Sequence, residues 1–147
     1  MLEIAPTKVL DFAPSIVAKD KNDQPILMID VRASDFYALT DINILKMEDY
    51  QHIPFLMFVN SHAIRIFKTT NFTEVLRLNT RETLKFYAHQ VTKDRISTSF
   101  VMRLIQAWLR DLAYHWKSEI PPQMEAIKQI GLLDYLANGT TRELEEN

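Results

Sequence analysis

The stretch Ala13-Pro14-Ser15-Ile16-Val17-Ala18-Lys19-Asp20-Lys21-Asn22-Asp23-Gln24-Pro25-Ile26-Leu27-Met28-Ile29-Asp30-Val31-Arg32 decides the fold. Ser15–Lys19 is short and apolar with β-branched members, which predicts a strand. The polar run Asp20-Lys21-Asn22-Asp23 marks a turn. Ile26–Arg32 is an unbroken apolar run whose only polar members, Asp30 and Arg32, lie near its end. Such a run suits a central strand covered on both faces. Strand, turn and buried strand together predict a hairpin at the heart of a sheet.

Working outward, Ser34 can cap a helix with Asp35 in its first turn, and the pattern predicts helix to about Tyr50. Ile53–Val59 is another buried strand. Asn60-Ser61-His62 is a tight connection, Ala63–Lys68 a hairpin partner, and Glu74–Leu78 an edge strand. The second half reads as helical: Thr80–Gln90, then Ser97 to about Lys117 with Ser and Thr at its start. A third helix is opened by Pro121-Pro122 and ends near Asn138-Gly139, where glycine supplies a left-handed stop. Glu143–Asn147 is predicted to fray. The expected architecture is one α/β (α+β) domain over 1–147 with a small mixed β-sheet and flanking helices. Within it, 10–78 is sheet-rich, 79–138 helical and 139–147 a frayed tail.

Composition narrows the function classes. At 147 residues with 47% hydrophobic content, the chain fits a single globular domain with a sizeable core. Its two glycines, Gly131 and Gly139, leave no glycine-rich phosphate loop, which excludes P-loop and dinucleotide-fold enzymes. The absence of cysteine excludes disulfides and thiolate zinc sites. His52, His62, His89 and His115 show neither i, i+4 pairing nor HExxH, and there is no Gly-x-Ser-x-Gly elbow. No apolar run approaches the ~18 to 20 residues of a membrane span. Met1–Pro6 lacks the basic flank and apolar segment of a signal peptide. A cytoplasmic location without membrane contact is the expectation.

The net charge of -2 is unevenly spread. Residues 1–60 carry 5 Lys/Arg against 9 Asp/Glu, residues 61–117 carry 10 against 4, and residues 118–147 carry 2 against 6. A cationic middle between acidic ends serves either as a nucleic-acid footprint or as an intramolecular match, the simpler account.

The order of elements and the text around residues 13–32 resemble the PD-(D/E)XK, or restriction endonuclease-like, superfamily. More narrowly, they resemble the N-terminal nuclease region of type I restriction enzyme R subunits and related small bacterial proteins. In that group a Pro-Asp begins one strand, and a hairpin turn leads to an apolar strand ending in Glu-x-Lys. A helix and a Pro-Phe-containing strand and hairpin follow. The matching text is Ala13-Pro14-Ser15-Ile16-Val17, the turn at Asn22-Asp23-Gln24, Ile26–Arg32, Ile53-Pro54-Phe55-Leu56-Met57-Phe58-Val59 and Ile64-Arg65-Ile66-Phe67. Val101–Trp116 and Gly131–Leu136 are similar to the family's helical tail, so the resemblance spans roughly residues 10–137.

The resemblance implies a Mg²⁺-dependent nuclease site built from two carboxylates and a lysine near the attacking water. Mg²⁺ settles on one or two carboxylates plus substrate phosphate oxygens, activates the nucleophile and neutralises charge at phosphorus. Asp30 and Arg32 keep the two-residue spacing that places both side chains on one face of a strand. Ser15, however, stands where the first aspartate belongs, and Arg32 replaces the lysine. An arginine guanidinium is bulkier than an ammonium and does not give up its proton, so the exchange is not conservative. The formal charge of the site goes from -1 to 0, and Arg32 is free to pair with Asp30, the one residue left to hold a metal. Asp11, Asp35, Lys46, Glu48 and Asp49 are the nearby charges from which a migrated group would have to come.

Two further groups stand out. Arg81, Lys85 and His89 recur every four residues and share one face of a predicted helix, either a phosphate-binding stripe or a solvated face. The helix at 97–117 is apolar around most of its circumference, with Trp108 and Trp116 among its large residues, so it is enclosed by its own domain or by a partner. The expected function is a catalytically degenerate nuclease-like domain acting as a binding or assembly module, without cofactor, on a protein partner or a second copy. The alternatives are an active DNase whose rearranged site uses Mg²⁺, and a nucleic-acid-binding protein that does not cleave.

Overall fold

The computed structural model describes residues 9–33, 41–43, 47–93 and 95–144. Its strands are β1 (Val9–Asp11), β2 (Ile16–Lys19), β3 (Pro25–Val31), β4 (Asp41–Asn43), β5 (Phe55–Val59), β6 (Ala63–Lys68), β7 (Thr73–Asn79) and β8 (Thr140–Glu143). The helices are α1 (Thr80–Leu84), α2 (Thr98–Tyr114), α3 (Met124–Gln129) and α4 (Leu132–Leu136), with 3-10 turns at Glu48–Tyr50 and His89–Thr92. The fold is mixed α/β: a six-stranded mixed sheet in the order β7-β6-β5-β3-β2-β8, beside a two-stranded parallel pair, β1 and β4.

Local chemistry makes the two central hairpins. Asp20 Oδ1 accepts the N–H groups of Asn22 (2.9 Å) and Gln24 (3.0 Å), and Asp23 takes the left-handed conformation (φ 63°), closing the turn between β2 and β3. Asn60 Oδ1 does the same for His62 and Ala63 (2.8 Å each) between β5 and β6. β3 lies between antiparallel β2 and parallel β5, and β5 is buried along its whole length, as the apolar runs predict.

Pairing fixes the faces. Leu27, Ile29 and Val31 pair with Phe55, Met57 and Val59, and together with Ile64 and Ile66 they form the main core under α2, α3 and α4. Asp30 pairs with Phe58 and Met28 with Leu56, so these point to the opposite face. There Phe12, Met47, Ile53, Leu56, Phe58 and Phe67 make a smaller second core.

Several predicted elements come out differently. Ser34–Tyr50 is not one helix. Residues 34–40 and 44–46 lie outside the described residues, Asp41–Asn43 pair in parallel with Val9–Asp11, and Glu48–Tyr50 is a 3-10 turn. Asp41, Ile42 and Asn43 are poor helix formers, and the ladder with β1 gives their backbone an alternative. The Thr80–Gln90 helix stops at Leu84, because Tyr87 turns to Asp111 and Val91 folds inward. The Arg81 guanidinium then takes the Val91 (2.8 Å) and Lys93 carbonyls, which a continued helix would have satisfied itself.

The 121–138 helix is two short ones, because Gly131 adopts φ 89°, a conformation no helix interior contains. Asn138 (φ 59°), not Gly139, supplies the left-handed stop. Gly139 is needed for another reason: a β-carbon there would lie 2.1 Å from the Lys19 carbonyl oxygen. α2 begins as predicted, with Ser97 Oγ accepting Phe100 N–H (3.1 Å), but ends at Tyr114, where His115 turns left-handed (φ 54°). Thr140–Glu143, predicted as the start of a frayed tail, is edge strand β8, and Leu144 N–H extends the ladder to Ser15 O (2.9 Å).

Candidate functional site

The hairpin register decides which side chains meet. Ile16 pairs with Ile29, and Ser15 N–H donates to Ile29 O (2.7 Å), so Ser15 lies beside Asp30 across the strands. Arg32 follows two residues after Asp30 and, by alternation, shares its face. The structure thus brings Ser15, Asp30 and Arg32 together along a cleft of about 530 Å³, walled also by Thr98 and Met102 of α2 and by Glu143 of β8.

Asp30 is 2% exposed, and both its oxygens are engaged. Arg32 Nε donates to Oδ1 (3.1 Å) and Nη2 to Oδ2 (3.1 Å), while Ala13 N–H donates to Oδ2 (2.8 Å). Arg32 Nη2 also reaches the Asp11 carbonyl (2.7 Å), which ties the chain preceding β2 to the pair. Burial pushes the Asp30 carboxyl above the usual carboxylate range, although the Ala13 N–H and the Arg32 guanidinium favour the anion. Ser15 Oγ is turned to the Ile29 carbonyl (3.4 Å).

Tyr50 stands nearby, its ring edge-on to Phe12 at 5.3 Å. Burial raises its phenol, and the charges of Asp49 and Asp30 add to that. Phe12, Met28, Tyr50 and Arg142 line an open groove of about 690 Å³ alongside the cleft.

Glu143 is the cleft residue that sequence reasoning missed, yet it does not complete a pair of carboxylates with Asp30. It pairs with Ile16, which pairs with Ile29, so it points to the helix-covered face, whereas Asp30 points to the other. Its contacts agree: Gln106 Nε2 donates to Glu143 Oε1 (3.4 Å), and Arg110 Nε donates to Thr141 Oγ1 (3.1 Å).

These residues do not fit Mg²⁺. Such a site needs carboxylate oxygens converging on one point, and here Asp30 is occupied at both oxygens by donors. No group of three or more His, Cys, Asp or Glu among the described residues is placed to hold a metal ion. Among the migrated-acid candidates, Asp11, Glu48 and Asp49 are exposed, and Asp35 and Lys46 lie outside the described residues.

The predicted basic stripe is not assembled. Arg81 is turned to backbone carbonyls, Lys85 Nζ pairs with Glu82 (2.8 Å), and His89 sits on the separate 3-10 turn. The two tryptophans part company as well. Trp108 is fully buried, with Nε1–H on Pro122 O (2.8 Å), and forms no surface. Trp116 lies beyond the end of α2, half exposed, with Nε1–H on Ala107 O (2.8 Å).

A second unforeseen residue organises that region. Asp111, buried in α2, accepts Tyr87 OH (2.7 Å) and Ser118 Oγ (2.6 Å) on Oδ2, and the N–H groups of Lys117 (3.0 Å) and Ser118 (3.1 Å) on Oδ1. Burial alone would raise its carboxyl, but the four donors outweigh burial and hold it below the ordinary value. The sequence signal was an acid directly before the apolar pair Leu112-Ala113, the one acid in a helix whose other charges, Arg103 and Arg110, are basic. Among the described residues no helix is long and apolar enough to cross a membrane. Comparison with protein-family models, with curated proteins and with solved structures finds no match for the chain.

Proposed function

We propose that this chain is a catalytically degenerate nuclease-like domain, with a restriction endonuclease-like core, that works as a binding or assembly module. One observation carries the reading: the Arg32 guanidinium sits bidentate on Asp30, where a nuclease of this kind would need a cation shared between two carboxylates. The register supports the same assignment, since Ser15 falls beside Asp30, where the first acid of such a motif belongs. The β2–β3 hairpin followed along the chain by the β5–β6 hairpin supports the reading, since the resemblance implies two hairpins in that order.

Calorimetric titration with Mg²⁺ or Mn²⁺ tests the proposal. The wild-type protein is expected to give no saturable binding. The double variant Ser15→Asp with Arg32→Lys restores two same-face carboxylates and a lysine, and it is expected to bind Mn²⁺. Saturable wild-type binding that Asp30→Ala abolishes would establish the metal-dependent DNase instead.

A further inference from the structure

We propose that the face formed by Phe86, Trp116 and Lys117 docks an acidic protein segment that carries apolar side chains. Large apolar side chains are rarely left exposed together without a use. Five are exposed among the described residues, and four of them, Phe86, Tyr114, Trp116 and Ile120, come from position 86 and the segment 114–120. Ile120 is 75% exposed and Trp116 50%.

Contacts join these two stretches. Tyr87 packs edge-on to Phe86 (5.2 Å) and tilted against Trp116 (6.1 Å). The Lys117 ammonium lies 5.0 Å from the Phe86 ring centroid and 5.7 Å from that of Tyr87, and donates to Phe86 O (3.2 Å). The presentation is rigid, because Asp111 clamps Tyr87, Lys117 and Ser118, and the Trp116 indole is fixed to α2. A preformed surface avoids much of the ordering cost that binding otherwise incurs.

Charge selects the occupant. The stretch 81–117 that builds this face carries seven Lys/Arg against three Asp/Glu, and Asp111 is buried. Glu82 is taken by Lys85. Neither the Lys117 ammonium nor the guanidinium of Arg103, which lies one turn before Ala107 on the same side of α2, has a carboxylate partner among the described residues, and Glu119 is the exposed acid in 114–120. A two-fold contact with a second copy of the same face would set these cations against each other. Base stacking by a nucleic acid needs free ring faces. Here the ammonium lies over Phe86, Tyr87 is half-buried, the half-exposed Trp116 ring tilts against Tyr87 at 6.1 Å, and Ile120 has no ring to offer. Apolar surface bearing unneutralised cations therefore suits carboxylates interleaved with apolar side chains.

The inference rests on the reading of the domain as a binding module, but on none of the cleft residues, so it fails separately from the metal titration. The test is fluorescence anisotropy at low salt with a labelled short peptide of Glu, Asp, Leu and Phe. A peptide with Lys in place of each acid and a single-stranded oligo-dT are run alongside, and sedimentation reports self-association. The acidic peptide is expected to bind saturably and more weakly as salt rises. Arg103→Glu and Trp116→Ala should each weaken it about tenfold or more. Arg103 is exposed, so its reversal is expected to leave the fold intact as judged by circular dichroism. No binding of the acidic peptide, equal binding by Arg103→Glu, preference for oligo-dT, or self-association lost in Trp116→Ala would each overturn the proposal.

Discussion

Replacing Arg32 by methionine removes the guanidinium, keeps most of the stem and leaves the Ala13 N–H donating to Asp30. The Asp30 side chain is 2% exposed and that of Arg32 22%, so water cannot readily take over. Breaking a buried ion pair at one partner costs about 3–5 kcal/mol, chiefly because the remaining charge is stranded. With a urea slope of about 1–3 kcal/mol per molar, the midpoint should fall by roughly 2 M at neutral pH.

The loss must also depend on pH. Burial already raises the Asp30 carboxyl, and without Arg32 it rises further, so the folded variant binds a proton more readily than the unfolded chain. Stability of the variant therefore grows as pH falls through that raised value. Its deficit against wild type should shrink to about 1–2 kcal/mol once Asp30 is neutral, the scale of lost hydrogen bonds alone. Adding Asp30→Asn to Arg32→Met should recover much of the neutral-pH loss. Urea melts of the wild type and the two variants across pH read all of this. A deficit under about 1 kcal/mol at neutral pH, or one equal at acid and neutral pH, would refute the stranded-charge reasoning.

Asp111→Asn should cost about 3 kcal/mol, since the NH2 that replaces one oxygen cannot accept the two donors that oxygen now takes. The wild-type contribution of Asp111 is present above its ordinary value and lost as pH falls through the lowered folded value, so the variant's deficit should diminish in strong acid. Denaturant melts against pH and a change in Trp116 emission check both points. Gly139→Ala forces a β-carbon toward the Lys19 carbonyl at 2.1 Å, so the backbone must shift, at about 3 kcal/mol or more. Thermal melts and faster amide exchange over Thr140–Glu143 are the readouts, and a neutral substitution would mean that the close approach is relieved at no cost.

The parts legible in the sequence are those specified by neighbours along the chain. The Asp20 turn, the apolar runs at Ile26–Val31 and Phe55–Val59 and the Ser97 cap all act within a few residues, and all appear. The shared face of Asp30 and Arg32 followed from strand alternation, the place of Ser15 came only with the resemblance, and the structure brings the three together along one cleft. What was missed depends on distant partners. Leu84, Tyr87 and Val91 have helical spacing, but Asp111 and the core draw them out of a helix. Trp108 and Trp116 would share a face if α2 ran to Lys117; the left-handed His115 separates them. Thr140–Glu143 has no apolar alternation and becomes a strand because β2 offers an open edge and Gln106 and Arg110 of α2 hold Thr141 and Glu143.

The same helix explains why the cleft and the proposed docking face behave independently. Thr98, at the start of α2, stands in the cleft wall, and Asp111 anchors the aromatic face thirteen residues later, about 20 Å along the helix at 1.5 Å per residue. Sites that far apart without shared partners perturb stability nearly additively. At the cleft end, a diffusible Mg²⁺ must shed water and displace a guanidinium tethered two residues from its carboxylate, and no metal-holding group of acids stands among the described residues in return. At the other end, the rings and cations are exposed and already ordered. On the proposed reading, arginine at position 32 therefore bears on the cleft alone and leaves the aromatic face as it is.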